Sequence, residues 1–363
     1  MKIVFLADLH IDNYQQFGGP QEGGVNQRAE YILATIRRAM ELGDKVVILG
    51  DIFNKSKPPP VLIYRMQAAL ACAYDVCVIP GNHDMDSDAI GNNAVAPLSM
   101  SYSTVHQRPA CWFNVIVVPF QVGSPESWLP NAIEEALSGL STAPRVLATH
   151  FGISDDSTPY HLDNSSGHIN VNKLVQICKR YGISFVFSGD WHRHQRWDID
   201  GVTVVQVGAL CPNRFPPQYE QASIGPAVVL DNGEVSMVNV PGPRFYKLNF
   251  TKVRREGWTI PSDALPAYIR LKHRLEDTQE AKEWASALQV EHKLSERAGI
   301  FGGLDFEVDR GIEVIKAHAA SFEARQASSL EEAVQRYVAK MPVPTNVSRE
   351  MVLDNVQRLL SGA

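Results

Sequence analysis

Five cysteines are scattered through 363 residues without a Cys-x-x-Cys pair. Cys72, Cys77, Cys111, Cys178 and Cys211 sit mainly in apolar segments and read as reduced core thiols, so no disulfide framework is indicated. No stretch is long and apolar enough to span a bilayer. The run Ile3–Ala7 stops at Asp8, too short for the apolar core of a signal peptide, so the expected location is the cytoplasm, with no membrane partner. The glycines at 18, 19, 23 and 24 are not followed by Gly-Lys-Ser/Thr, which excludes a P-loop and leaves a surface loop. Internal repeats and low-complexity tracts are also missing.

Hydrophobic residues make up 45% and charged residues 20%, an ordinary balance for a globular protein. The net charge of −6 is uneven: residues 1–243 carry 16 Lys+Arg against 23 Asp+Glu, and residues 244–363 carry 18 against 17. Bound cations would partly neutralise the acidic half, so its sign does not exclude an anionic substrate.

The first two-thirds repeats one pattern, a short β-rich run followed by a polar cluster. The runs are Ile3–Ala7, Val46–Leu49, Val76–Ile79, Val115–Val118, Val146–Ala148 and Phe185–Phe187. Each is too short for a helix and reads as a buried strand. Asn26 caps a helix carrying Ile32, Leu33, Ile36 and Met40, and Asn170 opens another that ends near Gly182. Alternating strands and helices predict an α/β fold with a largely parallel sheet. Val202–Val207, Ala227–Leu230 and Val235–Val240 then follow one another closely, which predicts antiparallel strands closing a second sheet. Pro241-Gly242-Pro243 reads as a linker. Beyond it, strands at Tyr268–Leu275 and Glu313–His318 flank a helix near Gln279–Leu294, and two amphipathic helices follow. Val61–Tyr74 could form a homodimer face, although a core-facing helix is the simpler account.

The chemistry lies in the clusters that end the runs: Asp8-Leu9-His10, Gly50-Asp51, Gly81-Asn82-His83-Asp84, Thr149-His150 and Gly189-Asp190-Trp191-His192-Arg193-His194. Parallel strands bring their carboxyl ends to one edge, where ligands bind. Each cluster alone has a plain structural reading, such as a turn dipeptide or a hydrogen-bonded core histidine. The ordered conjunction, each cluster directly after a strand, favours a site for borderline or hard divalent ions such as Mn²⁺, Fe²⁺ or Zn²⁺. His161 and His168 lie in a polar stretch and read as solvated loop residues.

This ordered set, D-x-H, G-D, G-N-H-D, H, H-x-H, resembles the calcineurin-like metallophosphoesterase superfamily over roughly residues 1–240. The resemblance implies a four-layer α-β-β-α sandwich around two divalent metal ions, Mn²⁺ being the expected one. It implies that Asp8, His10 and His194 ligate one ion, that Asn82, His150 and His192 ligate the other, and that Asp51 bridges both. His83 corresponds to the histidine that touches the substrate phosphate. Asp84 would bond His83 or hold the loop.

Gly50-Asp51-Ile52-Phe53-Asn54 followed by Pro58-Pro59-Pro60 is similar to a segment of DNA double-strand-break repair nucleases of the SbcD type and of phage recombination nucleases. Val207-Gly208-Ala209-Leu210 and Phe215 resemble the strand and turn that follow the last histidines in that branch. The chain departs from the pattern at Asn54, where an aspartate is common, and at Trp191, where many relatives have glycine. The branch implies a catalytic domain at 1–243, a small α/β DNA-capping domain at 244–325, and a helical segment at 326–363 that docks on an SMC-like coiled-coil ATPase. In the capping domain, a strand period of two places Arg270, Lys272 and Arg274 on one face as candidate DNA contacts, the plain alternative being a solvated face balanced by acids. The expected function is a metal-dependent DNA nuclease, and the competing one is a small-substrate phosphoesterase.

Overall fold

Alternation of buried side chains along each strand places two six-stranded sheets face to face. The structure is a computed structural model and describes residues 1–73, 75–87, 92–156, 167–215, 225–274, 276–294 and 301–309. The first sheet runs in the order β16 (Glu234–Val238), β15 (Ala227–Asp231), β1 (Lys2–Leu6), β4 (Lys45–Leu49), β5 (Val76–Ile79), β6 (Ser103–Val105). From β1 to β6 the neighbours are parallel, while β15 and β16 add an antiparallel edge. The second sheet runs β13 (Gln195–Ile199), β14 (Val202–Gln206), β12 (Phe185–Gly189), β9 (Val146–His150), β8 (Val115–Val118), β7 (Ala110–Trp112). Its four central strands are parallel and its two edges antiparallel.

Ile3, Phe5, Ala7, Val47 and Leu49 meet Val115, Val117, Ala148, Phe187 and Val205 between the sheets, with the Phe5 and Phe187 rings stacked at 3.9 Å. The intervening positions face helices. Val4, Leu6, Val46 and Ile48 pack on α1 (Gln27–Met40) and α2 (Pro60–Leu70), and Ile116, Leu147, Val186 and Val204 pack on α3 (Pro125–Leu137) and α4 (Val171–Arg180). The result is the four-layer α-β-β-α sandwich. Each fully buried aliphatic or phenyl side chain contributes ~1.5–3 kcal/mol, so the three interlocked clusters dominate the stability.

The Asn26 side chain accepts from the Ala29 N–H and that of Asn170 from the Asn172 N–H, capping α1 and α4 as the sequence predicts. Leu62, Met66 and Leu70 of α2 turn into the core. One expectation fails: Val202–Val207 does not join Ala227–Leu230 and Val235–Val240 in an antiparallel sheet. β14 pairs parallel with β12 in the second sheet, whereas β15 and β16 extend the first beside β1. Hydrophobic run length marks a strand but carries no address for its partner.

Pro241-Gly242-Pro243 is not a free linker. β17 (Gly242–Asn249) begins there, and a side chain at Gly242 would collide with Thr35 of α1. β17, α5 (Phe250–Glu256), β18 (Ala264–Arg274), α6 (Thr278–Leu294) and β19 (Phe301–Asp309) form a three-stranded parallel sheet in the order β17-β18-β19. Phe17, in the loop after the first Asp-x-His, stacks on Tyr268 and lies edge-on to Phe215. Arg28 of α1 is 2% exposed; its guanidinium donates to the Gln16 and Asn213 carbonyls and lies over the Tyr14 and Phe245 rings. The expected strand at Glu313–His318 and the terminal helices lie outside the described residues.

Candidate metal centre

At the edge where the carboxyl ends of β1, β4 and β12 meet, four residues have left-handed backbone: Asp8 (φ 52°) and His10 (φ 45°) after β1, Asp51 (φ 52°) after β4, and Asp190 (φ 85°) after β12. Such geometry costs on the order of 1–3 kcal/mol per non-glycine residue and persists only where the surroundings enforce it. They do so here. The His10 N–H bonds the Asp51 carbonyl at 2.9 Å and the Ile11 N–H bonds Ile52 at 2.8 Å. Asp84 accepts from the backbone N–H groups of Gly81 (2.9 Å), Phe53 (3.1 Å) and Ile52 (3.3 Å), clasping the β4 and β5 loops together. It therefore holds the loop and makes no bond to His83. Gly81 packs against Asp51 and the His150 ring so closely that a Cβ would overlap the Asp51 carboxylate.

The side chains converge in two donor sets. His10 and His192 bring their Nε2 atoms within 2.8 Å, and Asp8 shares their group while also lying within reach of Asp51 and His150; His83 comes within reach of His10 and Asp51. His150 Nε2 lies 2.9 Å from Asn82 Oδ1 and 3.9 Å from Asp190 Oδ1. Asp51 reaches both sets: Oδ2 is 3.8 Å from His10 Nε2, and Oδ1 is 3.5 Å from His150 Nε2. The Asp190 N–H donates to Asp8 Oδ1 at 3.1 Å, tying the ends of the two sheets together.

This arrangement changes two expectations. His192 belongs with Asp8 and His10 rather than with Asn82 and His150. His194 joins neither set; its Nδ1 bonds the Val207 carbonyl at 3.1 Å and it directly precedes β13. The reason is the turn. β12 ends at Gly189, the left-handed Asp190 redirects the chain at once, and only residues 190 and 192 reach the centre. Asp190 thus occupies a place the sequence reading left unassigned. The signal was there: Asp190-Trp191-His192 repeats the spacing of Asp8-Leu9-His10, each directly after a strand.

The electrostatics fit cations. Burial, then the Asp51 and Asp190 charges, holds the Asp8 carboxyl well above the usual carboxylate range. Burial likewise pushes Asp51 up to about 6, and burial with the Asp51 charge pushes Asp84 up to about 7. Asp190 is raised, burial again leading. Burial, followed by neighbouring imidazoles, drives His10 down to about 2; burial, followed by Arg214, drives His192 down to about 4. His150 is lowered by burial. Its Nδ1 meets the Leu49 carbonyl at 2.6 Å and so carries the proton, leaving an Nε2 lone pair facing the Asn82 oxygen. Asp8 Oδ2 and His10 Nδ1 are buried without a hydrogen-bond partner. Neutral imidazoles, opposed acceptors and crowded carboxylates are reconciled by divalent cations, so the residues fit a metal centre.

His83 lies edge-on to His10 at 4.9 Å and its ring is exposed. The His83 backbone N–H donates to Asp51 Oδ1 at 2.9 Å, and its ring Nδ1 meets the Asn54 carbonyl at 3.2 Å. Asn54 also donates Nδ2 to Asp12 Oδ2 at 3.2 Å, a bond an aspartate could not make, which accounts for the asparagine here. Trp191 fills the space over Gly152 and stacks on His168 at 5.8 Å. Arg214, exposed on the segment after Leu210, acts electrostatically on both His10 and His192 and was also missed in the sequence.

On the appended sheet, Arg270 pairs with Asp305 at 3.0 Å, Lys247 with Glu307 at 3.0 Å, and Arg274 with Glu276 at 3.4 Å. Lys272 stands between Asn249 and Glu307 in the register. A cavity of about 420 Å³ at the end of β17 and β18 is lined by Asn249, Thr251, Lys252, Arg255, Lys272, His273 and Arg274.

A family model described as calcineurin-like phosphoesterase matches residues 1–194. Among solved structures, the chain is similar to TT1561 of Thermus thermophilus, at 13% identity and a TM-score of 0.39, over 66% of this chain and 98% of that one. It is similar to the purple acid phosphatase PPD1 of yellow lupin (Lupinus luteus) seeds, at 12% identity and 0.40, over 66% and 50%. It is also similar to an archaeal phosphodiesterase, at 15% identity and 0.33, over 66% and 99%.

Proposed function

Because this chain belongs to the calcineurin-like phosphoesterase family, and so is a metal-dependent phosphoester hydrolase, we propose that its substrate is DNA. The reaction is then phosphodiester cleavage at duplex ends and within single strands, with Mn²⁺ as the working ion. The observation that carries this reading is the place of the appended sheet. Its aromatic face packs on the loop that follows Asp8 and His10, and its cavity is lined by Lys252, Arg255, Lys272 and Arg274 with no carboxylate among its described lining residues, Arg255 and Arg274 being paired with Glu256 and Glu276 outside the lining. Phosphate contacts of that kind hold a nucleic-acid backbone without reading sequence. The similarity of residues 50–60 to repair nucleases supports the same substrate.

Two divalent cations bound at the centre would supply the Lewis acidity that makes a water nucleophilic near neutral pH. The protein's own contribution is positional. Asp51 spans the two donor sets, Asp84 fixes the loops that carry Asp51 and Asn82, and the carbonyl of Leu49 sets the tautomer of His150. The Asn54 carbonyl holds the proton of His83 on Nδ1, so Nε2 is the nitrogen left to meet a phosphate oxygen or, when protonated, the departing sugar oxygen. Arg214 adds positive charge beside the same centre.

A second reading, hydrolysis of a small phosphoester, is favoured by a cavity of about 440 Å³ beside the centre. It is lined by Pro80, Met85 and Phe120, the last edge-on to His150 at 6.2 Å. The two readings part when purified protein with Mn²⁺ is given labelled duplex, single-stranded DNA, bis-p-nitrophenyl phosphate and cyclic nucleotides. DNA left intact while a cyclic nucleotide is turned over would sink the nuclease reading. We further propose docking of the terminal helices on an SMC-like ATPase. Deleting 328–363 should then abolish co-purification of the ATPase and leave small-diester hydrolysis intact; a deletion that gives insoluble protein instead favours packing of those helices on their own domain.

A further inference from the structure

The two donor sets differ in chemistry. One gathers two imidazoles, His10 and His192, with carboxylates from Asp8 and Asp51. The other gathers a single imidazole, His150, with Asp51 and Asp8 again in reach, the Asn82 oxygen at 2.9 Å and Asp190 Oδ1 at 3.9 Å. The difference rests on one residue. Gly189 is the register partner of His150 in adjacent parallel strands, so the next residue emerges beside the His150 ring. That residue is an aspartate, with its side chain 23% exposed, its Oδ1 3.9 Å from His150 Nε2 and its backbone N–H anchored on Asp8. The two Asp-x-His turns face each other across the sandwich, as the Phe5–Phe187 stack requires of the strands beneath them. Their histidines meet on one side, and Asp190 is left for the other.

Carboxylate and carbonyl oxygens suit Mn²⁺ and Mg²⁺, whereas imidazole suits Zn²⁺ and other borderline ions. We propose that Asp190 is a ligand of the ion held by His150, and that it makes this position select a hard, oxygen-seeking divalent cation while the His10–His192 position takes a borderline one. The inference rests on the metal-centre reading. A carboxylate also brings a full negative charge where an imidazole would bring none, which strengthens binding of a strongly hydrated dication relative to a softer competitor.

The test is metal exchange on the full chain, independent of turnover. Chelator-stripped protein is reloaded with Mn²⁺ and titrated with Zn²⁺, with retained Mn²⁺ read by elemental analysis and bound Mn²⁺ by its EPR signal. Wild type is expected to release its Mn²⁺ in two steps separated at least about tenfold in Zn²⁺ concentration. Asp190→His should move the late step toward the early one. His192→Ala should remove the early step and keep the late one. Asp190→Asn retains the size and one oxygen, and should lower Mn²⁺ affinity at the late step about tenfold; circular dichroism checks the fold of each variant. A single-step release in wild type, or two unchanged steps in folded Asp190→His, overturns the assignment. Wild type that holds no Mn²⁺ overturns it together with the dinuclear reading.

Discussion

Asp8, Asp51, Asp84 and Asp190 crowd together at the sandwich edge, and among the described residues no lysine or arginine pairs with any of them. On the appended sheet, Lys247, Arg270 and Arg274 each lie within 4 Å of a carboxylate. Two regions rich in charge thus balance it in opposite ways. The first is buried and leaves its deficit to a ligand; the second is half exposed and neutralises its own charge. Buried like charges are poorly screened, so protonation or a bound cation would relieve the centre, whereas each surface pair on the sheet is worth only ~0–1 kcal/mol and would be cheap to exchange for another anion.

The sharpest break of that contrast is Asp51→Ala. Removing a carboxylate that reaches both donor sets, one oxygen toward each, should lower bis-p-nitrophenyl phosphate turnover by several kcal/mol of lost transition-state stabilisation, about 10³-fold or more, and elemental analysis should show fewer than two ions per chain. Normal metal content in that variant would remove Asp51 from the ligand set. His83→Ala should cost about 10²–10⁴-fold in rate with both ions retained, since its exposed ring, bonded through Nδ1 to the Asn54 carbonyl beside His10 and Asp51, is read as meeting the phosphate rather than an ion.

Metal removal separates the regions by stability. At about 100-fold excess over its dissociation constant a bound ion adds ~2.7 kcal/mol, a shift of about 5–10 °C in Tm for a domain of this size. The folded carboxyls of Asp51 and Asp84 titrate above their unfolded values, at about 6 and 7. Their protonated forms therefore stabilise the metal-free fold below about pH 4, and that contribution is lost as pH rises through 6 to 7. Melting curves should show the metal-free chain losing Tm over this window while the loaded chain changes less.

Effects on the appended sheet should be smaller. Reversing Arg270, Lys272 and Arg274 to Glu should weaken DNA binding and flatten its salt dependence, with small-diester hydrolysis near wild type; equal loss on both substrates would point to misfolding. Asp305→Asn, which releases Arg270 from its acid, should steepen the log–log salt slope of DNA binding by up to about one unit. An unchanged slope would mean that Arg270 makes no phosphate contact.

The strands of the sandwich and most of the side chains that gather at its edge were legible because short Val/Ile-rich runs and the clusters that end them are local signals. Asp8, His10, Asp51, Asn82, His150 and His192 all converge. What was not legible is geometry decided by partners. The choice between His192 and His194 depends on where Asp190 turns the chain, and the sheet that receives β14 or β15 depends on faces meeting across the core. β19 was missed altogether: Phe301–Asp309 mixes glycines and acids with too few apolar residues to stand out, and it is recruited by pairing with β18.

Arg28 bears on how this molecule could be cut or recombined. Its charge is lodged between two loops of the catalytic half and the rings of Tyr14, Phe245 and Tyr268, and burial lowers its basicity. A chain severed before Gly242 would strip away two of those three rings and uncover the face of α1 around Thr35. Tyr14, stacked on the same guanidinium, donates its hydroxyl to the carbonyl of His10 at 2.7 Å. The sandwich is therefore not a portable module: a fragment ending at residue 241 inherits a half-unwrapped cation one hydrogen bond away from the backbone of a residue in the candidate metal centre.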